Sequence, residues 1–481
     1  MGLLHVDVGP LSPDRFREVL TEPGIQQLER TVARGRELVE GRVVWNVNST
    51  PRGGGVAELL RSLLAYTRGA GVDARWVVIE GNPDFFTVTK RLHNHLHGWP
   101  GDGGPLGDAE EAIYRDTCLA NADELTGLTR PGDVVLLHDP QTAALAAPLR
   151  EAGAHVIWRC HVGLDVPNDL ARSAWRFLLP SLEPAEVYVF SREAFVWETL
   201  DRNRIAIIAP SIDAFSPKNQ ELAPEAVTAI LRVAGFHDGP ADGEPVFQRH
   251  DGSPGRVDRQ APIVEDAPLR PDTEVLLQVS RWDRLKDPLG VIEAFGAHVA
   301  PHSDSHLLLA GPDVLAVADD PEGPEVLREA IDRRETLAPE ARARVHLARL
   351  PMDDADENAA MVNALQRRAT VIAQKSLAEG FGLTVAEGMW KARPVVATRV
   401  GGIQDQIVDG ESGLLVDPLG LEAFGMAVTE LLHDRRRAED MGRAAKERVR
   451  EHFLGVRHLA QYVDLLARLI VREPDSAREA L

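Results

Sequence analysis

Residues 373–401 read AQKSLAEGFGLTVAEGMWKARPVVATRVG, and the reading of this stretch decides the fold. Ser376 to Glu379 leads into a Gly380-Phe381-Gly382 turn, and a short helical segment runs from Thr384 towards Trp390. Pro394 then introduces an apolar β run at 395–398, which ends in a Gly401-Gly402 turn. Gly380 and Gly382 carry no Cβ, so a ligand can approach the backbone closely there. The first N–H groups of the new helix have no intrahelical partner and lie at the positive end of its dipole, which suits phosphate. Glu379 precedes the turn, and Glu387 lies one to two helical turns beyond it. Two carboxylates flanking a phosphate cradle fit a ligand with hydroxyls on both sides of its phosphates, as a nucleotide sugar has. A lone GxG would instead be a loop with two solvated glutamates.

Working back towards the N-terminus, 275–279 opens an α/β unit, QVSRWDRLKDPLGVIEAF. A strand ends at Ser280, and Arg281 and Lys286 follow before a helix. Basic residues at a strand's carboxyl end in an acidic protein are candidates for diphosphate binding: Arg grips phosphate with two donors, and Lys adds a point charge. Ordinary surface cations are the alternative. Further strands fall at 306–310, 345–347 and 371–373, with a closing strand at 413–416. From Pro418 the chain is helical with mixed charges, and 459–471 is a distinctly apolar helix. Residues 216–271 are rich in Pro, Gly and charge around one amphipathic helix at 224–233. They read as a connection between two domains, with 240–270 a long surface loop.

The first half opens with a short segment and a charge-rich helical stretch at 14–39. A strand at 43–47, the turn Gly53-Gly54-Gly55, an amphipathic helix and a second strand at 74–79 then form a βαβ unit. Val56, Leu59, Leu60, Leu63 and Leu64 mark the buried stripe of that helix. The unit predicts a parallel, doubly wound sheet. The glycine turn matches neither the dinucleotide nor the P-loop fingerprint, so it is either a tight connection or a backbone ligand. His93, His95 and His97 lie at 85–98, but no third ligand stands at metalloprotease spacing, and a solvated or acceptor-side helix is expected. Strands at 134–137 and 155–159 deliver Asp139 and His161 at their carboxyl ends, where ligands of open α/β sheets collect. Each residue either caps its strand or meets a ligand. Strands at 187–190 and 205–208 complete the sheet.

The chain has 481 residues, enough for two or three domains, and 44% hydrophobic with 26% charged residues is a globular balance. A formal charge of −21 argues against nucleic acid or an anionic membrane as partner. Cys118 and Cys160 are too few for a disulfide framework or a Cys-rich zinc site. No signal-peptide pattern and no membrane-length apolar run is present, which makes the cytoplasm the default compartment.

The string E-G-F-G-L-T-x-x-E, followed by P-V-V-A-T and G-G, resembles the signature of retaining glycosyltransferases of the group 1 (GT4-type) family. From about residue 42 the strings WNVNSTPRGGGVAE, VIEGNPDFFTVTKRLHN, RCHVGLD and APSIDAFSPKNQ resemble the trehalose glycosyltransferring synthases and their relatives, the trehalose phosphorylases. The resemblance implies a GT-B fold, two Rossmann-like domains facing an interdomain cleft. An acceptor domain would span 1–215 with a crossover helix at about 455–481, the connection 216–271, and a donor domain 272–454. It implies a retaining hexosyltransferase that moves glucose reversibly between a nucleoside-diphosphate-glucose and free glucose, with trehalose as product. A phosphorylase using inorganic phosphate, or another group 1 transferase, is the alternative.

Carried onto this chain, the resemblance places His161 beside the reacting sugar, Glu379 on the donor glucose hydroxyls, and Arg281 with Lys286 on the diphosphate. Gly54, Gly55, Gly380, Phe381, Gly382, Leu383 and Thr384 would hold the donor, with Glu387 on the ribose. Asp139, Asn82 and Lys90 would shape the acceptor site. No metal ligand set is expected, since Asp319-Asp320 and Asp353-Asp354 read as loop charges. No tightly bound cofactor is implied, with room for stimulation by Mg2+. The partners implied are nucleoside diphosphate, its glucose conjugate, glucose and trehalose. A homodimer is compatible with the sequence, which specifies neither oligomeric state, base preference nor direction.

Overall fold

A computed structural model describes residues 2–51, 54–240, 242–313 and 322–470. Gly53, Asp319, Asp320 and Val471 of the sequence reading lie outside these residues. The chain divides into two compact units, one formed by residues up to Ser211 together with the segment resuming at Leu454, the other by Ile212–Phe453.

The first unit is built on a seven-stranded sheet: β1 (Leu4–Val6), β2 (Val44–Asn48), β3 (Ala74–Val78), β4 (Val134–His138), β5 (His155–Cys160), β6 (Val187–Phe190) and β7 (Ile205–Ile207). The spatial order is β1-β3-β2-β4-β5-β6-β7, and every pairing is parallel except that of β1 with β3. Period-two alternation sends Trp45, Val47, Leu137 and Trp158 into one core and Val44, Leu136, Ile157 and Val189 into the other. Both faces are covered, so the strands read as near-continuous apolar runs. Leu60 and Leu64 of the helix Gly54–Gly69 fill the second core, each adding about 2 kcal/mol by burial. Tyr462, Leu465 and Leu469 of the helix Gly455–Ile470 complete that layer.

Two details differ from the sequence expectation. Strand β1 falls in the segment read as an irregular opening, and its antiparallel register Leu4↔Val78 extends the sheet edge. The helical stretch at 14–39 is two elements, a 3-10 turn Pro13–Glu18 and the helix Glu22–Leu38, with Thr21 extended between them. Thr21 is the extended cap of the second element, and Pro23 sits in its first turn, where the missing N–H costs no helical bond.

The second unit holds a hairpin, β8 (Val246–Gln248) with β9 (Pro254–Arg256). Its seven-stranded sheet comprises β10 (Ile263–Val264), β11 (Val275–Val279), β12 (His306–Pro312), β13 (Val345–Leu350), β14 (Val371–Gln374), β15 (Val395–Thr398) and β16 (Leu414–Val416). The order β10-β13-β12-β11-β14-β15-β16 is parallel except at the β10 edge.

Residues 216–271, expected as a connection, are instead part of this unit. The helix Pro224–Val233 packs on the helix Ala355–Arg368, and β10 pairs with β13. Asn363 Nδ2 donates to the carbonyls of Pro217 (3.0 Å) and Gln220 (2.9 Å), while Glu357 accepts from the backbone N–H of Asp258 (2.7 Å) and Arg259 (2.8 Å). Such side-chain staples leave no apolar period to read. Asp354 is likewise no solvated loop charge. It caps the helix Ala355–Arg368 through the N–H groups of Asp356 and Glu357, and it holds Arg249 with both oxygens at 2.7 and 3.0 Å. That guanidinium and the cap lower its acid to about 2.

Candidate active site

In the second unit, β14 delivers the 376–384 loop at its carboxyl end, and the helix Leu383–Trp390 starts from Gly382. Gly382 is left-handed at φ +81, a conformation that costs glycine nothing. A turn away, Gly401 at φ +47 runs so close to Glu379 that a Cβ there would lie 1.6 Å from the Glu379 carbonyl oxygen. Gly402 N–H donates to the Gly380 carbonyl at 3.1 Å. Gln406, fully buried, donates from Nε2 to the carbonyls of Phe381, Gly382 and Gly402. Thr384 Oγ1 donates to Gln374 Oε1 at 2.8 Å. The loop is therefore clamped from below, with the unpartnered N–H groups of the helix start on its other side.

Glu379 forms an ion pair with Lys286 and accepts a bond from Ser376 Oγ at 3.4 Å. Lys286 closes the 3-10 turn Arg284–Lys286, and its carbonyl accepts from Gln278 Nε2 at 2.9 Å. The following residue, Asp287, is held left-handed at φ +49 by capping Gly290 N–H (3.0 Å) and by pairing with buried Lys375. Arg281 reaches Asp283 at 2.8 Å and keeps nearly half of its side chain exposed. The structure thus joins Glu379 to Lys286 and the glycine turn, with Arg281 on the loop that leads to Lys286.

Glu387 is placed otherwise. Its side chain is 1% exposed, with Lys218 Nζ at 3.5 Å and Gln366 Nε2 at 3.4 Å from its oxygens. As placed it faces protein groups, because the helix turns its carboxylate inward towards Lys218. Lys391, one turn on, bonds to the Glu387 carbonyl (3.2 Å) and Asn219 Oδ1 (2.9 Å), and burial lowers the pKa of its ammonium to about 7.

In the first unit, β4 and β5 bring Asp139 and His161 together. Asp139 adopts φ 62 with ψ 177, a region that costs a non-glycine residue about 1–3 kcal/mol and that collects at functional sites. Three bonds hold it there: Asp139 N–H to the Arg159 carbonyl (2.7 Å), Trp158 Nε1 to the Asp139 carbonyl (3.0 Å), and His161 N–H to Asp139 Oδ1 (2.8 Å). Removal from water pushes its carboxyl up to about 7, against the His161 N–H bond and then the charge of Arg159.

A side-chain chain runs from Asn46 Oδ1 to His138 Nε2 (3.1 Å), and from His138 Nδ1 to His161 Nε2 (3.1 Å). Burial lowers His138 to about 3 and His161 well below the usual imidazole value, so both are neutral. With the Asn46 carbonyl accepting, His138 Nε2 donates and its Nδ1 accepts from His161 Nε2–H. His161 Nδ1 then keeps a lone pair, able to accept a hydroxyl proton.

The other predicted acceptor residues, Asn82 and Lys90, belong to the start and middle of one helix. The Asn82 side chain caps the helix Pro83–Leu96 by accepting from Phe85 N–H at 2.8 Å, which commits it structurally. Lys90 is exposed two turns along that helix. Gly54 and Gly55 open the helix Gly54–Gly69, where backbone N–H groups lack intrahelical acceptors. His93 and His97 stack edge to face at 4.9 Å, and no cluster of three or more potential metal ligands occurs among the described residues. No helix among those residues is long and apolar enough to cross a membrane. Sequence reasoning missed Asn46, His138, Arg159, Gln374 and Gln406. Their common signal is a polar residue in or beside a stretch that is otherwise wholly buried.

Two Rossmann-like units agree with the family comparisons. Residues 260–448 match glycosyl transferases group 1, and residues 46–197 match the N-terminal domain of trehalose synthase. An α,α-trehalose-phosphate synthase (UDP-forming) from Burkholderia vietnamiensis superposes with a TM-score of 0.66 at 14% identity, covering 90% of this chain and 100% of that one. The chain is a group 1 glycosyltransferase with the GT-B fold. Trehalose synthase from Thermococcus litoralis is 36% identical over 455 residues, covering 94% of this chain and 95% of that protein. Trehalose phosphorylase from Pleurotus pulmonarius is 24% identical over 457 residues, 89% of this chain but 57% of that protein. The chain therefore belongs to the trehalose synthase family.

Proposed function

We propose that the chain transfers glucose, with retention of configuration, between a nucleoside-diphosphate-glucose and free glucose, making or splitting trehalose. The observation that carries this reading is the Lys286–Glu379 pair set against the clamped glycine turn. It supplies a cation for a departing phosphate and a carboxylate for sugar hydroxyls at the start of a helix. The donor C1–O bond to phosphate breaks while a bond forms from C1 to the acceptor hydroxyl oxygen. Negative charge gathers on the leaving diphosphate, which Arg281, Lys286 and the N–H groups of Leu383 and Thr384 stabilise. The acceptor attacks on the same face, and its proton passes to the departing phosphate oxygen. No carboxylate is assigned as a covalent nucleophile. Glu387 would exchange Lys218 and Gln366 for ribose hydroxyls. On the acceptor side, Asp139 accepts from a glucose hydroxyl and His161 Nδ1 from another. Magnesium, where it stimulates, would act through the diphosphate, and no protein ligand set is assigned to it.

Coverage of almost the full length of a trehalose synthase, against little more than half of a phosphorylase, favours the nucleotide over inorganic phosphate. Purified protein given trehalose with either a nucleoside diphosphate or inorganic phosphate tests this. Nucleoside-diphosphate-glucose is the expected product, and the base that works best identifies the donor. Glucose 1-phosphate would transfer the chain to the phosphorylases, and no product with either would remove the trehalose reading.

A further inference from the structure

Arg159 lies behind the Asp139–His161 pair, opposite His138 in the register of β4 and β5, and is wholly shut off from solvent. Trp158 and Cys160 enter one core and Ile157 the other, so Arg159 shares the Ile157 face, which Tyr462, Leu465 and Leu466 of the helix Gly455–Ile470 cover. Among the described residues, none of its three guanidinium nitrogens has a hydrogen-bond partner. Burying a bare guanidinium costs several kcal/mol. A packing role would be filled at lower cost by leucine or methionine, so the charge itself is the feature to explain.

The groups that feel this charge come from three elements: His138 and Asp139 at the end of β4, Cys160 and His161 at the end of β5, and Arg457, His458 and Tyr462 on the C-terminal helix. Asp139 is the one carboxylate among them, and among the described residues its carboxyl oxygens accept only from the His161 N–H. Arg159 acts on it through space and not through a contact.

We infer that Arg159 is a positioning residue of the acceptor site, a buried cation left without a partner so that it fixes the charge of Asp139 and the neutral form of His161 from behind. The inference rests on the acceptor-site reading of those two residues. Burial drives the Asp139 carboxyl up to about 7, and the His161 N–H and then Arg159 draw it down; burial and Arg159 together hold His161 low. Loss of the cation raises the carboxyl further, so that less of it is ionised at neutral pH to offer two accepting oxygens to a sugar hydroxyl.

Full-length Arg159→Gln and Arg159→Lys test this in two arms. Histidine-selective 15N NMR, with His161 assigned by its loss in His161→Gln, reads the ring without turnover. The Gln variant is expected to raise the His161 midpoint by about one pH unit, and the Lys variant to leave it near wild type. In the activity arm, the acid-side midpoint of kcat/KM for the acceptor rises by about one pH unit in the Gln variant, with donor KM unchanged. Unmoved midpoints in a folded Gln variant overturn the inference. Should the Gln variant not fold, a His161 midpoint displaced in the Lys variant overturns it and a retained one supports it. A wild type inactive on every donor would remove the trehalose reading alone, since the NMR arm decides Arg159 independently.

Discussion

Replacing Gly401 with alanine is expected to disable turnover by moving Glu379, not by unfolding the second unit. The new Cβ would fall 1.6 Å from the Glu379 carbonyl oxygen, whereas real Cβ contacts do not come under 3.0 Å. The two backbones must separate by at least the difference, 1.4 Å. Gly402, bonded to Gly380, and Gln406, bonded to Phe381 and Gly382, resist that separation, so the displacement falls on the loop carrying Glu379. A misplacement of about 1 Å at a reacting centre costs on the order of 100-fold in rate. The positive φ adds roughly 1–2 kcal/mol of strain. Gly410→Ala separates the two effects, because Gly410 shares the positive φ (+81) and nothing lies within 4 Å of its would-be Cβ. Steady-state kcat at saturating substrates, with urea unfolding alongside, reads both variants. The expected result is about a 100-fold fall in kcat for Gly401→Ala and near wild-type kcat for Gly410→Ala, with comparable strain in each. A Gly401→Ala kcat within threefold of wild type, or equal losses in both variants, refutes the reasoning.

Asp354→Ala is expected to cost about 2 kcal/mol at neutral pH through the lost cap and Arg249 pair. Its acid is depressed to about 2, so that stability is present above about pH 4 and lost as pH falls through 2, and urea midpoints of variant and wild type should converge on acidification. His138 is buried neutral with its acid lowered to about 3, so it too supports stability above pH 6.5 that is lost as pH falls towards 3. His138→Gln should flatten the urea-midpoint profile across that interval, and an unchanged slope would assign the acid sensitivity to other groups.

The parallel sheets were legible because strands buried on both faces are apolar runs and their helices carry a 3.6-residue stripe. Val56 to Leu64 shows this: the residues read as a buried stripe are the ones that enter the core or pack on it. The turn before the helix Leu383–Trp390 was legible from Gly382, whose left-handed backbone (φ +81) is a conformation that glycine adopts without cost. What was illegible depended on partners far along the chain. Segment 216–271 is anchored by Asn363 and Glu357, roughly a hundred residues or more away, and no local pattern encodes that. Asp354, read as a solvated loop charge, is a helix cap paired with Arg249, a partner 105 residues away that no local pattern shows. Glu387 has a motif position but a buried side chain, which only the packing of Lys218 and Gln366 reveals. Arg159 was visible in the string WRC as a charge inside a buried strand, and its lack of a partner was not.

The return of the helix Gly455–Ile470 to the first unit makes that unit discontinuous along the chain, with Ile212–Phe453 inserted between its parts. During synthesis the second core of the first sheet must wait for Tyr462, Leu465 and Leu469, which leave the ribosome after the whole inserted unit. Until then Leu136, Ile157 and Val189 face an unfinished layer, and Arg159 lies beneath it. The inserted unit, contiguous in sequence, can complete its own sheet first. Assembly therefore runs out of order with the gene: the domain begun earliest is the last to close, and nascent chains halted before residue 455 should expose the sheet face that a chaperone recognises.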